Sequence, residues 1–271
     1  MLYQMNQLKV CFALITLAVF CLAGCDAQPS KQGQALPLTA TIALPGVSGR
    51  IDHLAFDSST QRLFIAALGN NSVEVIDLKT NKVTHSITGL SEPQGIAFIT
   101  GKNMLFIANG GNGACDVFNA NTYQKITSVQ LAGDADNVRY DAKNNKVYVG
   151  YGEGGIAIID AVTFKQVADI KLQGHPESFQ LDIPAKKIYV NVPDKQQVEV
   201  IDLDKQTVID RWKLTEAKAN FPMALDAANQ QLMIGCRHPA KLLVLDTNTG
   251  KLITTMDMDS DVDDIFYNSI Y

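Results

Sequence analysis

Past its first two dozen residues this chain has no stretch with helical spacing, and several chemistries need a helix. The glycine-rich segments Asn109-Gly-Gly-Asn-Gly and Gly150-Tyr-Gly-Glu-Gly-Gly join strand to strand. They read as tight loops, since a phosphate cradle of the usual kind sits at a helix start. No His-Glu-x-x-His zinc helix and no Gly-x-Ser-x-Gly nucleophile elbow occurs. His175-Pro-Glu-Ser178 carries the residue types of a hydrolase. Neighbours along a strand point to opposite sides, however, which spoils a triad.

Cysteine is scarce where it would matter. Cys11 and Cys21 lie in an N-terminal apolar stretch and Cys25 directly follows it, which leaves Cys115 and Cys236. No Cys-x-x-Cys pair and no Cys-x-x-Cys-His haem attachment exists, so zinc held by a cysteine cluster is excluded. Cys115 and Cys236 fall in different repeats, too far apart to bridge. A basic excess is lacking too: 23 Lys and Arg face 28 Asp and Glu, a net charge of −5. Removing residues 1–24, whose one charge is Lys9, makes the balance one unit more negative. A mildly acidic body argues against broad nucleic-acid binding, which needs a basic stripe.

What the chain does have is a repeat. The short apolar segments Leu63-Phe-Ile-Ala, Leu105-Phe-Ile-Ala, Val147-Tyr-Val-Gly, Ile188-Tyr-Val-Asn and Leu232-Met-Ile-Gly start 42, 42, 41 and 44 residues apart. A fixed period in this range marks a solenoid, a propeller or an array. Each repeat reads as four short strands with turn chemistry between them, as in Leu54-Ala-Phe, Leu63-Phe-Ile-Ala-Ala, Val73-Glu-Val-Ile-Asp and Val83-Thr-His-Ser-Ile. Asp57, Asp141, Asp182 and Asp226 recur after the first strand, and Asp77, Asp160, Asp202 and Asp246 after the third. Aspartates there cap turns through their own backbone. Four antiparallel strands in a repeat of this length predict one blade of an all-β propeller. A β-solenoid is the alternative, although its repeats are usually shorter.

Ile188-Tyr-Val-Asn-Val-Pro-Asp-Lys-Gln-Gln-Val-Glu-Val-Ile-Asp resembles the YVTN-type propeller repeat. The segments Gly49-Arg-Ile-Asp-His, Glu92-Pro-Gln-Gly, Asp134-Ala-Asp-Asn-Val-Arg-Tyr-Asp, Gly174-His-Pro-Glu-Ser-Phe-Gln-Leu and Asn220-Phe-Pro-Met-Ala-Leu-Asp extend the likeness to YncE-like bacterial propeller proteins. The resemblance covers about residues 39–271. It implies a seven-bladed family type in the periplasm or at the cell surface and little chemistry. It also keeps DNA binding as a further reading.

The expected repeats are about 51–92, 93–134, 135–175, 176–218 and 219–260, with a partial sixth over 261–271. Val262-Asp-Asp-Ile-Phe-Tyr matches the first strand of that sixth repeat, and Thr39 to Leu44 reads as a fourth strand without a blade of its own. Either the reading frame is truncated or the ring stays open. An open ring exposes an apolar sheet face and unpaired edges unless a partner covers them.

Val10 to Ala23 is an apolar stretch too short for a comfortable membrane span, and residues 1–24 read as a signal peptide. Leu22-Ala-Gly-Cys25 resembles a bacterial lipobox, which implies lipidation of Cys25 and a membrane anchor, with residues 25–38 as a polar tether. Asp26 directly after the cysteine favours the inner membrane, on its periplasmic side.

In a propeller the blade-to-blade loops and the loops between second and third strands share one face. The polar residues expected there include Arg50, Asp52, His53, Gln94, Asp136, Asn137, His175, Glu177, Asn220, Arg237, His238, Asp263 and Asp264. The positions nearest the first strand, pointing into the central funnel, are Asp52, Gln94, Asp136, Glu177, Phe221 and Asp263. Crowded carboxylates raise one another's pKa values and invite a cation. Asp52, Asp136, Glu177 and Asp263 would suit calcium or magnesium, and His53 or His175 would allow a transition metal. The alternative is that these acids are loop residues paired with Arg50, Arg139 and Arg237.

Two functional readings follow. One is a binding or scaffold module that presents its funnel face to a periplasmic protein, a wall component or a small anionic or cationic ligand. The other is a lactonase-like hydrolase. There a divalent cation held by Asp52, Asn137, Glu177 and Asn220 polarises a carbonyl, with His53 or His175 as base and His53, His175 and Glu177 as the catalytic candidates.

Overall fold

The computed structural model describes residues 37–270. The expectations for the signal segment, for Cys25 and Asp26, and for most of the tether lie outside them. Two compact units are distinguished, Met1–Thr41 and Ile42–Tyr271. The described residues of the first form no helix or strand.

The second unit is all-β. Its first blade is β1 (Leu54–Asp57), β2 (Arg62–Ala67), β3 (Ser72–Asp77) and β4 (Lys82–Ile87). The second is β5 (Pro93–Ile99), β6 (Met104–Asn109), β7 (Ala114–Asn119) and β8 (Lys125–Gln130). The third is β9 (Ala135–Asp141), β10 (Lys146–Tyr151), β11 (Gly155–Asp160) and β12 (Gln166–Lys171). The fourth is β13 (Phe179–Asp182), β14 (Lys187–Val192), β15 (Gln197–Asp202) and β16 (Thr207–Lys213). The fifth is β17 (Lys218–Asp226), β18 (Gln231–His238), β19 (Ala240–Asp246) and β20 (Leu252–Asp257). Each sheet is an antiparallel meander, so five four-stranded propeller blades follow one another along the chain. Two single 3₁₀ turns, Leu68–Asn70 and Pro193–Lys195, are the helical elements among the described residues.

The first strands of consecutive blades touch one another, β1 with β5, β5 with β9, β9 with β13 and β13 with β17, so they face the hub. The apolar core is divided into four seams, one between each pair of adjacent blades. Phe64, Val75, Leu105 and Phe118 fill the first, and Phe106, Val117, Val147 and Tyr151 the second. Tyr148, Ile158, Phe179 and Ile188 fill the third, and Tyr189, Trp212, Ile234 and Leu243 the fourth. A four-stranded sheet cannot leave its apolar faces wet, so each blade is held by its neighbours, at about 25 cal/mol per Å² of apolar surface buried. Cys115 and Cys236 are buried, free and in different seams.

The recurring aspartates act as turn caps. Asp57, Asp141, Asp182 and Asp226 each accept a backbone N–H two or three residues on, and so do Asp77, Asp160, Asp202 and Asp246. The outermost strand of every blade also carries a bulge at one place, extruding Thr84, Ile126, Val167, Ile209 and Ile253. The four aliphatic ones are about half exposed, and a bulge there twists an edge out of shape for pairing with another chain.

Two expected strands are not strands. Thr39 to Leu44 has no regular structure. The same holds for 258–270, because a strand needs a ladder partner and no strand among the described residues pairs with it. The segment still packs on the fifth blade: Val262 and Ile265 lie over Gly235 of β18, and the Tyr267 hydroxyl donates to Asp226 at the far end of β17.

Candidate functional site

One structural device builds the site. Near the start of each innermost strand, two residues oppose a single residue of the second strand. In blade one Asp52 N–H donates to the Ala66 carbonyl while Ala66 N–H donates to the His53 carbonyl. In blade four Glu177 and Ser178 bracket Asn191 in the same way. Register shifts place Gln94-Gly95 opposite Ala108, Asp136-Asn137 opposite Gly150, and Phe221-Pro222 opposite Gly235. The result is a β-bulge at the same point of all five blades. A bulge re-aims one side chain out of the pleat. The first residue of each pair is Asp52, Gln94, Asp136, Glu177 or Phe221, and all five line one cavity of about 600 Å³. Asp263 on the C-terminal segment is the sixth residue expected at the funnel and lines it too.

The bulges lean on one another. A Cβ on Gly95 would come within 1.8 Å of the Asp136 carbonyl oxygen, so only glycine lets the second and third bulges approach. Asn191 donates through Nδ2 to the Phe221 and Pro222 carbonyls, tying blade four to the bulge of blade five.

Arg50 binds Asp52 at 2.8 Å, and Arg237 binds Asp263 and Asp261 while lying 4.0 Å from the centre of the Phe221 ring. Gln94 donates to Asp134. The His175 Nδ1–H donates to the Gly152 carbonyl at 2.6 Å, which turns Nε2 toward Asp136 Oδ2, 4.0 Å away. His53 reaches across to the third blade, where its Nε2 lies 2.8 Å from the Asn137 amide. Its Nδ1 is 2.8 Å from Asp52 Oδ1, but the N–H is not aimed at the oxygen and makes no proper hydrogen bond. Asp136 is 5% exposed, and its Oδ1 has no donor among the described residues.

Burial raises the Asp136 carboxyl to about 6, with Asp52 and Asp134 pushing the same way and His53 and His175 opposing. Burial, then the Asp136 charge, raises Glu177 to about 7 against the pull of His175 and Arg237. Burial alone would lower His53. The Asp52 carboxylate, 2.8 Å from the ring, and the charge of Asp136 outweigh it, and the ring ends above its ordinary value. His175 is raised in the same way by the Gly152 carbonyl and the charges of Asp134, Glu177 and Asp136.

Arg50, Asp52, His53, Gln94, Asp136, Asn137, His175, Glu177, Arg237 and Asp263 line the cavity. Three other residues do not. Asn220 is fully buried and donates to Asn191 Oδ1 and the Gln197 carbonyl, because it precedes the bulge pair and points into the seam between blades four and five. His238 pairs with Lys218 at the exposed end of β18. Asp264 accepts its neighbour's N–H outside the lining. Ile51, Asp134, Ser178 and Asp261 complete the wall. Among the described residues no three His, Cys, Asp or Glu side chains converge in a way that could hold a metal ion. Asp52, Asp136, Glu177 and Asp263 share the cavity without meeting at a point, since each comes from a different segment around it.

No protein-family model matches the chain, and no curated protein matches it in sequence. Solved structures do match. One of them, Kuenenia stuttgartiensis hydrazine synthase, superposes with a TM-score of 0.59 at 15% identity, over 86% of this chain and 91% of that chain. That likeness is one of fold alone.

Proposed function

We propose that this chain is a binding module that holds a small polar ligand in the funnel cavity. The observation that carries this reading is the ring of bulges, in which five blades each aim one residue into a single cavity of about 600 Å³. That volume suits a small molecule, for which pockets run roughly 300–1,000 Å³. The propeller fold itself supports a general binding or scaffold role. The YVTN-like repeat and the Leu22-Ala-Gly-Cys25 tetrapeptide support a place in the cell envelope, tethered through lipid at Cys25 on the periplasmic side. A periplasmic protein or wall component would then be a second partner at the same face. The metal-dependent lactonase is less well supported, because Asn220 points away from the cavity and no donor set converges among the described residues. The acidic wall disfavours DNA.

A panel of small polar compounds tested by thermal shift is the direct check. A ligand present at 100 times its Kd stabilises by about 2.7 kcal/mol, a melting rise of roughly 5–10 °C for a chain of this size. At least one compound is expected to give such a rise, and Glu177→Ala is expected to remove it. A panel that leaves the wild type unmoved, or a rise that survives Glu177→Ala, would count against the reading.

A further inference from the structure

This inference rests on the small-ligand reading and narrows it to a chemical class. Six carboxylates line the cavity against two arginines, Arg50 and Arg237. Both arginines are already engaged, Arg50 by Asp52 and Arg237 by Asp261 and Asp263. The remaining acids have no ion pair with an arginine among the described residues: Asp134 accepts from Gln94 with His175 3.7 Å away, Asp136 has His175 at 4.0 Å and the charge of the buried Arg139 behind it, and Glu177 feels the charges of His175 and Arg237. The Asp136 side chain is 8% exposed with one oxygen lacking a donor, so it is built into the wall and is not a solvated loop acid.

We propose that the cavity takes a small organic cation, an alkylammonium or guanidinium compound seated between Asp136 and Glu177. Two features favour an extended cation over a metal ion. The carboxylates are spread around the wall and do not converge. The cavity's aromatic residue, Phe221, already carries a flat cation, the Arg237 guanidinium. The raised carboxyls agree with this, because a cation placed beside them supplies the counter-charge that burial denies them.

Three probes of one length separate the classes: 1,4-diaminobutane, 1,4-butanediol and succinate, titrated into the wild type by calorimetry at pH 7.5 in about 150 mM salt. The diamine is expected to bind, and the diol and succinate are not. Asp136→Asn and Glu177→Gln should each weaken the diamine roughly tenfold or more. Asp204→Asn, on an exposed turn of the opposite face, should leave it unchanged. Circular dichroism confirms that each variant is folded, and the three-probe series on the wild type does not depend on the variants. Equal or tighter binding of the diol or succinate would overturn the cation class while leaving the binding reading standing. Tight binding of calcium or zinc with none of the diamine would overturn it in favour of a metal. A compound panel that finds no ligand of any kind would remove the underlying reading itself.

Discussion

At the scale of single residues, the funnel is a cluster that holds its protons. Asp136 at about 6, Glu177 at about 7, and the raised His53 and His175 all bind protons more tightly in the folded state than in the unfolded chain. Folding therefore takes up protons, and the stability these groups contribute is lost as pH rises. For the two carboxyls that stability is full below their ordinary values of 3.8 and 4.5 and is gone above about 6 and about 7. The turn caps act in the opposite sense. Asp202 and Asp246 are held below the usual range, chiefly by the backbone N–H of Lys205 and the Thr249 hydroxyl, so their contribution disappears as pH falls through that range. The ligand-free protein is thus expected to be most stable on the acid side of neutrality. Glu177→Gln should raise the melting temperature at pH 8, by the equivalent of about 1–2 kcal/mol, and change it little at pH 5. Melting curves of both proteins at the two pH values check this, and a variant less stable than wild type at pH 8 would refute the ionisation scheme. Protonation of His53 carries a geometric condition. A doubly protonated ring would need the Asn137 amide turned over, so that its unpartnered Oδ1 accepts from Nε2–H.

At the scale of elements, the bulge decides what reaches the funnel. Asp52, Gln94, Asp136, Glu177 and Phe221 recur at the blade period, and the alternation of apolar residues along each first strand marks which side faces the hub. These five positions were therefore legible in the sequence. The bulge itself was not, because the slip of one residue that it puts into the alternation does not stand out in first strands this short. The cost of that blindness falls on Asn220, one residue before a bulge pair, which turns into the seam. It falls also on His238, since β18 runs on to the exposed tip of its hairpin and brings Arg237, not the histidine, to the cavity. The contact of Asp134 with His175 depends on two blades meeting, which no local pattern carries. Gly95 tests the element directly. Gly95→Ala must move backbone, since the new methyl would meet the Asp136 carbonyl. The expected cost is about 1–3 kcal/mol, read as a lower denaturant midpoint with an unchanged slope. A neutral Gly95→Ala would mean that the second and third bulges are not in register contact.

At the scale of the whole molecule, four apolar seams hold five blades in a fan whose inner strands share one hub. The repeat period and the strand patterning made this legible early, because each blade repeats the same residue types at the same places. The segments flanking the blades were less legible. Apolar spacing in Val262-Asp-Asp-Ile-Phe-Tyr matches a first strand, and its side chains do cover Gly235, but spacing alone does not supply a hydrogen-bonded neighbour. The fan gives the chain two faces: turns capped by aspartate on one, and on the other a mouth that gathers a charged segment from every blade.

The measurement that bears most directly on this arrangement is residue-resolved. Amide chemical shifts are recorded as a bound small molecule is titrated in. Asp52, Gln94, Asp136, Glu177 and Phe221, each on a different blade, are expected to shift together along a single binding curve. Shifts confined to one blade, or centred on the Asp77, Asp160 and Asp202 turns of the far face, would contradict a shared funnel site.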